Sequence, residues 1–264
     1  MQNPLISILL ASYNEQRYIS ESIRSIQNQT LENWELIIID DCSSDETVKI
    51  IKNFKKNDSR IKLSINKKNL GLAASLNIAL RKAKADFIAR ADADDINLNE
   101  RLQKQYYYLI NNQNIDIVGT GAWLLNREGE RIKSISLPPT NYQLKKLTFL
   151  KTKFFHSSVM IRKSFFSMNG NYNESFLRAQ DKELWLRGQK NGSIYANLSE
   201  PLLEYRTNNY IYSFRSIILT TISLFRIQNE YNFRYGHLLI IKFLMISLFT
   251  KMKIWKPLTR SFFF

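Results

Sequence analysis

The chain has 264 residues, 44% apolar and 23% charged, which is long enough for one full core and too apolar for a disordered polymer. Its formal charge of +15 favours anionic partners (phosphorylated substrates, anionic lipid headgroups, nucleic acid), and its single cysteine, Cys42, excludes an internal disulfide. No run reaches the roughly 18 apolar residues of a spanning helix, and "MQNPLISILLASYNE" lacks the basic start and cleavage site of a signal peptide.

Strand-like and helix-like segments alternate through the first half. "LISILL" (5–10) is a short apolar run, and "EQRYISESIRSIQNQ" (15–29) carries Ile19, Ile23 and Ile26 at helical spacing. "WELIIID" (34–40) is a second strand, after which Ser43 and Glu46 have capping-box spacing at a helix start. A strand at 60–66, a helix at 71–83, a strand at 86–92, a helix at 99–110 and a strand at 115–121 continue the pattern. Repetition of this kind predicts a mainly parallel sheet flanked by helices on both faces. The pattern then changes. "AWLLNREGERIKSI" reads as a hairpin turning at Glu128-Gly129, and "LPPT" breaks the chain before a helix at about 141–150. "HSSVMIRKS" (156–164) is strand-like, "MNGNYNES" a loop, and "DKELWLRGQKNG" (181–192) a helix ending at Gly192.

From about 201 onward nine Lys and Arg face two Glu, interleaved with the apolar runs "SIILTTISLF" and "HLLIIKFLMISLF". The second run, interrupted by Lys242, is too short to span a bilayer. It reads as an interfacial helix on an anionic membrane surface, against the alternative of helices packed on the core.

In open α/β sheets ligands bind beyond the carboxyl ends of the strands. Tyr13, the pair Asp40–Asp41 and the cluster Asp92–Asp95 each follow a predicted strand, so they converge on one rim. Carboxylates suit Mg²⁺ or Mn²⁺, ions that bind through one or two carboxylates plus substrate phosphates. In "DADD", Asp92 and Asp94 can bracket one such ion, while Asp95 also fits a helix-capping position. One of Asp40 and Asp41 is free for a base or ribose if Ser43 and Asp45 cap the following helix. Tyr13 offers a ring for stacking on a base.

Together, "SILLASYNEQRYISESIRSIQNQT", "WELIIIDDCSSDET", "NLGLAASLNIAL", "DFIARADADD" and "HSSVMIRKSF…NGNY…AQDKELWLRG" resemble the family 2 glycosyltransferases, over roughly residues 5–206 and in the family's order. The resemblance implies an A-type glycosyltransferase fold: a nucleotide-sugar half at about 1–121, an acceptor half at about 122–206, and a basic, apolar helical tail at 207–264. By the family pattern Ala11 and Tyr13 lie along the uridine and Asp41 bonds the base. Asp92 and Asp94 form the DxD element, Asp92 toward ribose or metal and Asp94 on the metal. Asp181 matches the general base of inverting members, with Gln180 where the family usually has Glu. His156 matches a histidine near the pyrophosphate or acceptor, or is a buried structural histidine. Arg206, in "LLEYRTNN", reads either as a loop residue reaching the diphosphate or as a surface residue.

Such a transfer needs a cation to neutralise the departing diphosphate and a base for the acceptor hydroxyl. The context of a single domain with a basic tail resembles bacterial enzymes that extend lipid-linked saccharides for O-antigen or capsule. It implies a peripheral enzyme on the cytoplasmic face of the inner membrane, with a UDP-hexose donor and an acceptor such as HexNAc-diphosphoundecaprenol. UDP-galactose and a β1,3 linkage are the specific expectation. Two rivals have less support. A sugar-phosphate nucleotidyltransferase needs a glycine-rich triphosphate loop, and "ASYNEQRY" has no glycine. A non-catalytic nucleic-acid or membrane binder fits the charge, but the RNA-binding and zinc motifs are missing and the acidic rim repels a phosphate backbone.

Overall fold

The computed structural model describes residues 3–126, 128–147, 151–207 and 214–232, with positions 237, 240, 241 and 244. Four strands form the first half of the sheet: β1 (Ile6–Ser12), β2 (Trp34–Asp40), β3 (Ile61–Ile65) and β4 (Phe87–Asp92). They lie side by side in the order β3-β2-β1-β4, all parallel. Every residue of β2 is buried, because helices cover both faces and leave no solvent side to demand a polar alternation.

The covering helices divide by face. Ile19, Ile23 and Ile26 of α1 (Ile19–Gln27) and Ile51 of α2 (Thr47–Asn57) pack on Ile6, Ile8 and Leu10. Ala73, Leu76 and Leu80 of α3 (Leu72–Lys82) pack on Leu9, Ile37 and Ile39 from the other side. Alternate residues along a strand point to opposite faces, so one apolar strand feeds both cores.

The second half is wound differently. After the short β5 (Ile96–Asn97) and α4 (Arg101–Asn111), the chain forms β6 (Ile117–Leu125) and β7 (Arg131–Ile135), the expected hairpin, with Gly129 at φ 88°. A short α5 (Asn141–Lys146) follows, held by a Thr140–Gln143 capping box, and a 3₁₀ turn at His156–Ser158 leads into β8 (Met160–Arg162). The strand-like segment 156–164 thus yields a turn, three strand residues and the start of α6 (Lys163–Asn169). β8 enters from the rim and runs antiparallel to both β4 and β6. The last strand, β9 (Tyr195–Arg206), lies parallel to β6 and antiparallel to β5. Parallel order therefore holds for the first four strands, where each connection is a helical crossover, and the sheet is mixed beyond them.

Two helices complete the second half. α7 (Gln180–Lys190) ends near Gly192 at φ 90°, and α8 (Phe214–Tyr231) opens the tail. Leu224 and Ile227 of α8 pack with Ile240 on Phe176 and on Leu186 of α7. The first apolar run of the tail is thus a core-packing helix, while Ile218 and Ile222 on its outer side stay 40% and 51% exposed. Among the described residues no helix is long and apolar enough to cross a membrane. The second apolar run and its Lys242 lie largely outside the described residues.

Candidate active site

The rim at the carboxyl ends of β1, β2 and β4 is tied together by loop-to-loop hydrogen bonds. Asn14, at φ 56°, accepts from the Ser44 amide at 2.8 Å, and the Glu15 amide donates to Thr47 Oγ1 at 2.8 Å. The expected Ser43–Glu46 capping box does not form. Instead Asp45 accepts from the Thr47 amide at 3.0 Å and from the Gln16 amide at 3.1 Å. Ser43 is drawn away to Asp40, which accepts from its hydroxyl at 2.6 Å and from Ser12 Oγ at 3.0 Å. Asp40 is fully buried and holds the β1 and β2 ends together.

Asp41 is the other member of the pair. It accepts from Asn66 Nδ2 at 2.7 Å and from the amides of Leu70 and Gly71 at 2.9 and 2.7 Å, fixing the loop before α3, where Gly71 adopts φ 88°. Tyr13 is half exposed on the adjoining loop. Ala11 lies in β1 between Ile39 and Asp92 on the neighbouring strands.

Asp92, Asp94 and Asp95 bring carboxylate oxygens within 4.8 Å of one another at the end of β4. The fold answers this charge from below. Arg90, buried in β4 beneath the cluster, donates to the Asp92 carboxylate and to the Ala91 carbonyl. Arg101 of α4, also buried, donates to the Ser157 and Arg90 carbonyls, both at 3.0 Å. Burial, followed by the neighbouring Arg90 charge, lowers the Arg101 guanidinium to about 9. Asp95 is buried, accepts from Ser157 Oγ and from the Arg206 amide, and caps no helix, since β5 intervenes before α4.

Asp94 retains the character of a cation site. Burial, then the Asp92 charge, pushes its carboxyl up to about 6. Glu15, facing the same space, is pushed up to about 7 by burial and by Asp94 and Asp92. A cluster of hard oxygen donors that resists full ionisation is the donor set that Mg²⁺ or Mn²⁺ relieves, so these residues fit a divalent cation held by Asp94 and Asp92.

Arg206 is neither on the surface nor in a loop. It ends β9 and is buried, its guanidinium paired with Glu21 and lying 4.5 Å from the Tyr18 ring centre. The twelve-residue strand carries it into the rim, where its backbone amide serves Asp95.

Asp181 sits in the first turn of α7. The helix is entered through Ala179 at φ 56° with no side-chain cap, so Asp181 is not engaged as one. His156 Nε2 and the Tyr172 hydroxyl are 2.9 Å apart, and the His156 ring lies 6.0 Å from that of Trp185. Burial and the Arg90 charge hold His156 neutral. Tyr172 is raised by burial, and both Asp181 and Asp92 add to the effect. Its hydroxyl thus lies within electrostatic reach of the Asp181 carboxylate and of the acidic cluster. The backbone of Tyr172 is fixed by Asn77 of α3, whose amide donates to the Tyr172 carbonyl at 2.9 Å. A pocket opens beside Asp181, bounded by Lys151, Lys153, Phe154, Lys182 and Trp185.

Sequence reasoning missed Glu15, Arg90, Arg101 and Tyr172. A charged Arg90 inside an otherwise buried strand was the available signal; the Tyr172–His156 pair had none, because it exists only through tertiary contact.

A family model described as Glycosyl transferase family 2 matches residues 7–168. The O-antigen biosynthesis glycosyltransferase WbnJ of Escherichia coli is 38% identical over 211 residues, covering 78% of this chain and 80% of WbnJ. Among solved structures, S. aureus TarS 1–349 in complex with UDP superposes with a TM-score of 0.63 at 19% identity, over 83% of this chain and 65% of TarS. The mannosyltransferase PcManGT from Pyrobaculum calidifontis, in complex with GDP-Man and Mn²⁺, gives a TM-score of 0.66 at 15% identity, over 97% of this chain and 77% of that one. With the A-type fold of these neighbours and a family match over more than half its length, the chain belongs to glycosyl transferase family 2.

Proposed function

We propose that the protein transfers a hexose, with inversion, from a UDP-sugar to a lipid-linked saccharide in bacterial surface-polysaccharide synthesis. The observation that carries this reading is the three-carboxylate cluster at the end of β4, where burial and the Asp92 charge push the Asp94 carboxyl up to about 6. Asp94 and Asp92 hold Mn²⁺ or Mg²⁺, whose chemistry when bound is neutralisation of the charge developing on the departing diphosphate. Tyr13, Ala11 and Asp41 take the nucleoside, Tyr13 by its exposed ring and Asp41 from a strand end it already braces.

Asp181 is the base. It removes the proton from the acceptor hydroxyl as that oxygen bonds to the anomeric carbon and the bond to the diphosphate breaks on the opposite face. No glycosyl-enzyme carboxylate is required in such a single displacement, and the configuration inverts. Neutral His156, held by Tyr172, contacts the acceptor. Arg206 acts through its amide on Asp95, since its guanidinium is already paired with Glu21.

The role in surface polysaccharide is supported by the naming of WbnJ. UDP-galactose as donor, a β1,3 linkage and HexNAc-diphosphoundecaprenol as acceptor are the specific form of the proposal. The UDP bound to TarS and the Mn²⁺ bound to PcManGT support the donor and cation classes. The basic tail at 207–264 attaches the enzyme peripherally to anionic lipid on the cytoplasmic face of the inner membrane. The partners are therefore a nucleotide-sugar, a lipid-linked saccharide and the membrane surface, with no nucleic acid.

The test is a screen of UDP-, GDP- and dTDP-hexoses against a HexNAc-diphosphate lipid, with and without chelator, followed by NMR of the product. A β-linked product from UDP-galactose, lost in EDTA and restored by Mn²⁺, is expected. A retained α configuration overturns the mechanism, and full activity after metal stripping overturns the cation role.

A further inference from the structure

His156 Nε2 and the Tyr172 hydroxyl meet at 2.9 Å, and the two groups can share their protons in only one stable way. Tyr172 is 4% exposed. Burial, helped by Asp181 and Asp92 against the Arg90 charge, raises its hydroxyl well above the usual phenol range, so the phenol keeps its proton. His156 is held neutral by burial and by Arg90, so its ring carries one N–H and one lone pair. Among the described residues the phenol has no hydrogen-bond partner other than His156. With Nε2 as donor, the buried O–H would face no acceptor, and a buried donor left unpaired costs more than one bond returns. Nε2 is therefore the acceptor, and the imidazole proton sits on Nδ1. Both partners are fixed by other contacts. Asn77 of α3 accepts from the Tyr172 amide at 3.1 Å and donates to the Tyr172 carbonyl at 2.9 Å. His156 opens the 3₁₀ turn whose next residue, Ser157, donates to Asp95 and accepts from Arg101 at 3.0 Å. His156 keeps some exposure, and its Nδ1 bonds no described residue.

We propose that Tyr172 is a positioning residue: its buried hydroxyl donates to His156 Nε2, keeps the imidazole proton on Nδ1, and so presents His156 to the substrate as a fixed hydrogen-bond donor. The use made of that donor rests on the transferase reading above; the tautomer does not. With one nitrogen occupied and the other already protonated, His156 gives a hydrogen bond and takes no proton. It therefore recognises a substrate oxygen with a free lone pair, a hydroxyl, carbonyl or phosphate oxygen, and does not compete with Asp181 for the proton of the reacting hydroxyl. A neutral donor of this kind orients the substrate oxygen without adding a charge beside Arg90.

The chain has two histidines, His156 and His237, so ¹⁵N-histidine labelling of the full-length protein gives two ring systems, assigned with His237→Gln. Long-range proton–nitrogen correlation at pH 7 should show His156 with a protonated Nδ1 and a bare Nε2. A proton found on Nε2 overturns the inference without any further variant. In Tyr172→Phe the proton should spread over both nitrogens, and an unchanged pattern overturns the role of the hydroxyl. Turnover supplies a second arm. A side-chain amide stands near the place of Nδ1 in His156→Asn and near that of Nε2 in His156→Gln, so the Asn variant should retain several-fold more transfer. Tyr172→Phe should lower kcat roughly tenfold in the native chain and leave the donor KM alone. It should add nothing in the His156→Asn chain, where no tautomer remains to be set. Equal losses in both backgrounds, or more transfer from the Gln variant than from the Asn variant, overturn the proposal and leave the transferase reading standing. A native chain that shows the Nδ1 proton yet neither hydrolyses nor transfers any nucleotide-sugar leaves the tautomer standing and overturns that reading instead.

Discussion

The first half of the sheet, up to β4, and the second half solve the same problem, placing polar groups on a rim, by opposite means. From β1 to β4 each strand is linked to the next in sequence by a helical crossover, and Ala11, Tyr13, Asp41, Asp92 and Asp94 stand at or just after a strand end. The bonds that fix Asp40, Asp41 and Asn14 reach across about 30 residues, from one loop to the next. In the second half the ties are longer: Asn77 to Tyr172 spans 95 residues and Arg206 to Asp95 spans 111. The first rim is thus built by repetition of one local unit, whereas the polar contacts of the second half exist only when distant segments have docked.

Substitutions can break this contrast. The largest effect is expected from Asp94→Ala, which removes the proposed cation ligand; both transfer and donor hydrolysis should fall by roughly a thousandfold. Comparable turnover in the variant would remove the donor rim from the chemistry. Asp181→Asn should instead separate the halves, lowering kcat for transfer by roughly a hundredfold while calorimetry with Mn²⁺ finds near-native donor binding. Loss of donor binding as well would mean that the acceptor carboxylate shapes the nucleotide site.

Next in size is Arg101→Met. This buried guanidinium joins the Arg90 carbonyl of β4 to the Ser157 carbonyl of the turn before β8. Its removal strips the buried acidic cluster of support and should cost about 3 kcal/mol in urea unfolding. An unchanged midpoint would show the halves to be joined elsewhere.

The titration of the acidic cluster gives a smaller effect of defined sign. The Asp94 carboxyl rises from 3.8 to about 6 in the folded chain. Its protonated form is therefore favoured by folding, and that stability, complete below its unfolded value, is lost as pH climbs through about 6. Without metal the melting temperature should drop by a few degrees between pH 4.5 and 7. Mn²⁺ should reverse the drop at pH 7, and Asp94→Asn should flatten the profile. A metal-free profile that rises over this interval would contradict the desolvation of Asp94.

The mildest change is Arg226→Ala. Arg226 of α8 donates to the Ser175 carbonyl at 2.9 Å and lies 4.4 Å from the Phe176 ring centre, bracing the loop that leads into Asp181. Its loss should raise the acceptor KM a few-fold and leave donor KM alone, with Arg226→Lys restoring part of the difference. Equal shifts in both constants would assign α8 a general packing role.

Much of the first half of the sheet was legible in the sequence because its signals are local. Apolar runs gave the four parallel strands, the Ile19, Ile23 and Ile26 spacing gave α1, and strand-end acids gave the rim. Asp181 was singled out by the resemblance carried by "AQDKELWLRG", and the structure sets it in the first turn of α7. Local spacing failed where a distant partner competed: Ser43 left its capping position for Asp40, and Asp95 found Ser157 and Arg206 instead of a helix end. Tertiary structure alone decided the antiparallel turn at β8, the buried arginines beneath the carboxylates, the pairing of His156 with Tyr172 and the lysine pocket beside Asp181. Periodicity records which face of an element is apolar. Which charges meet once those faces are buried depends on how the chain returns across the sheet, and that return is set by packing between segments a hundred residues apart.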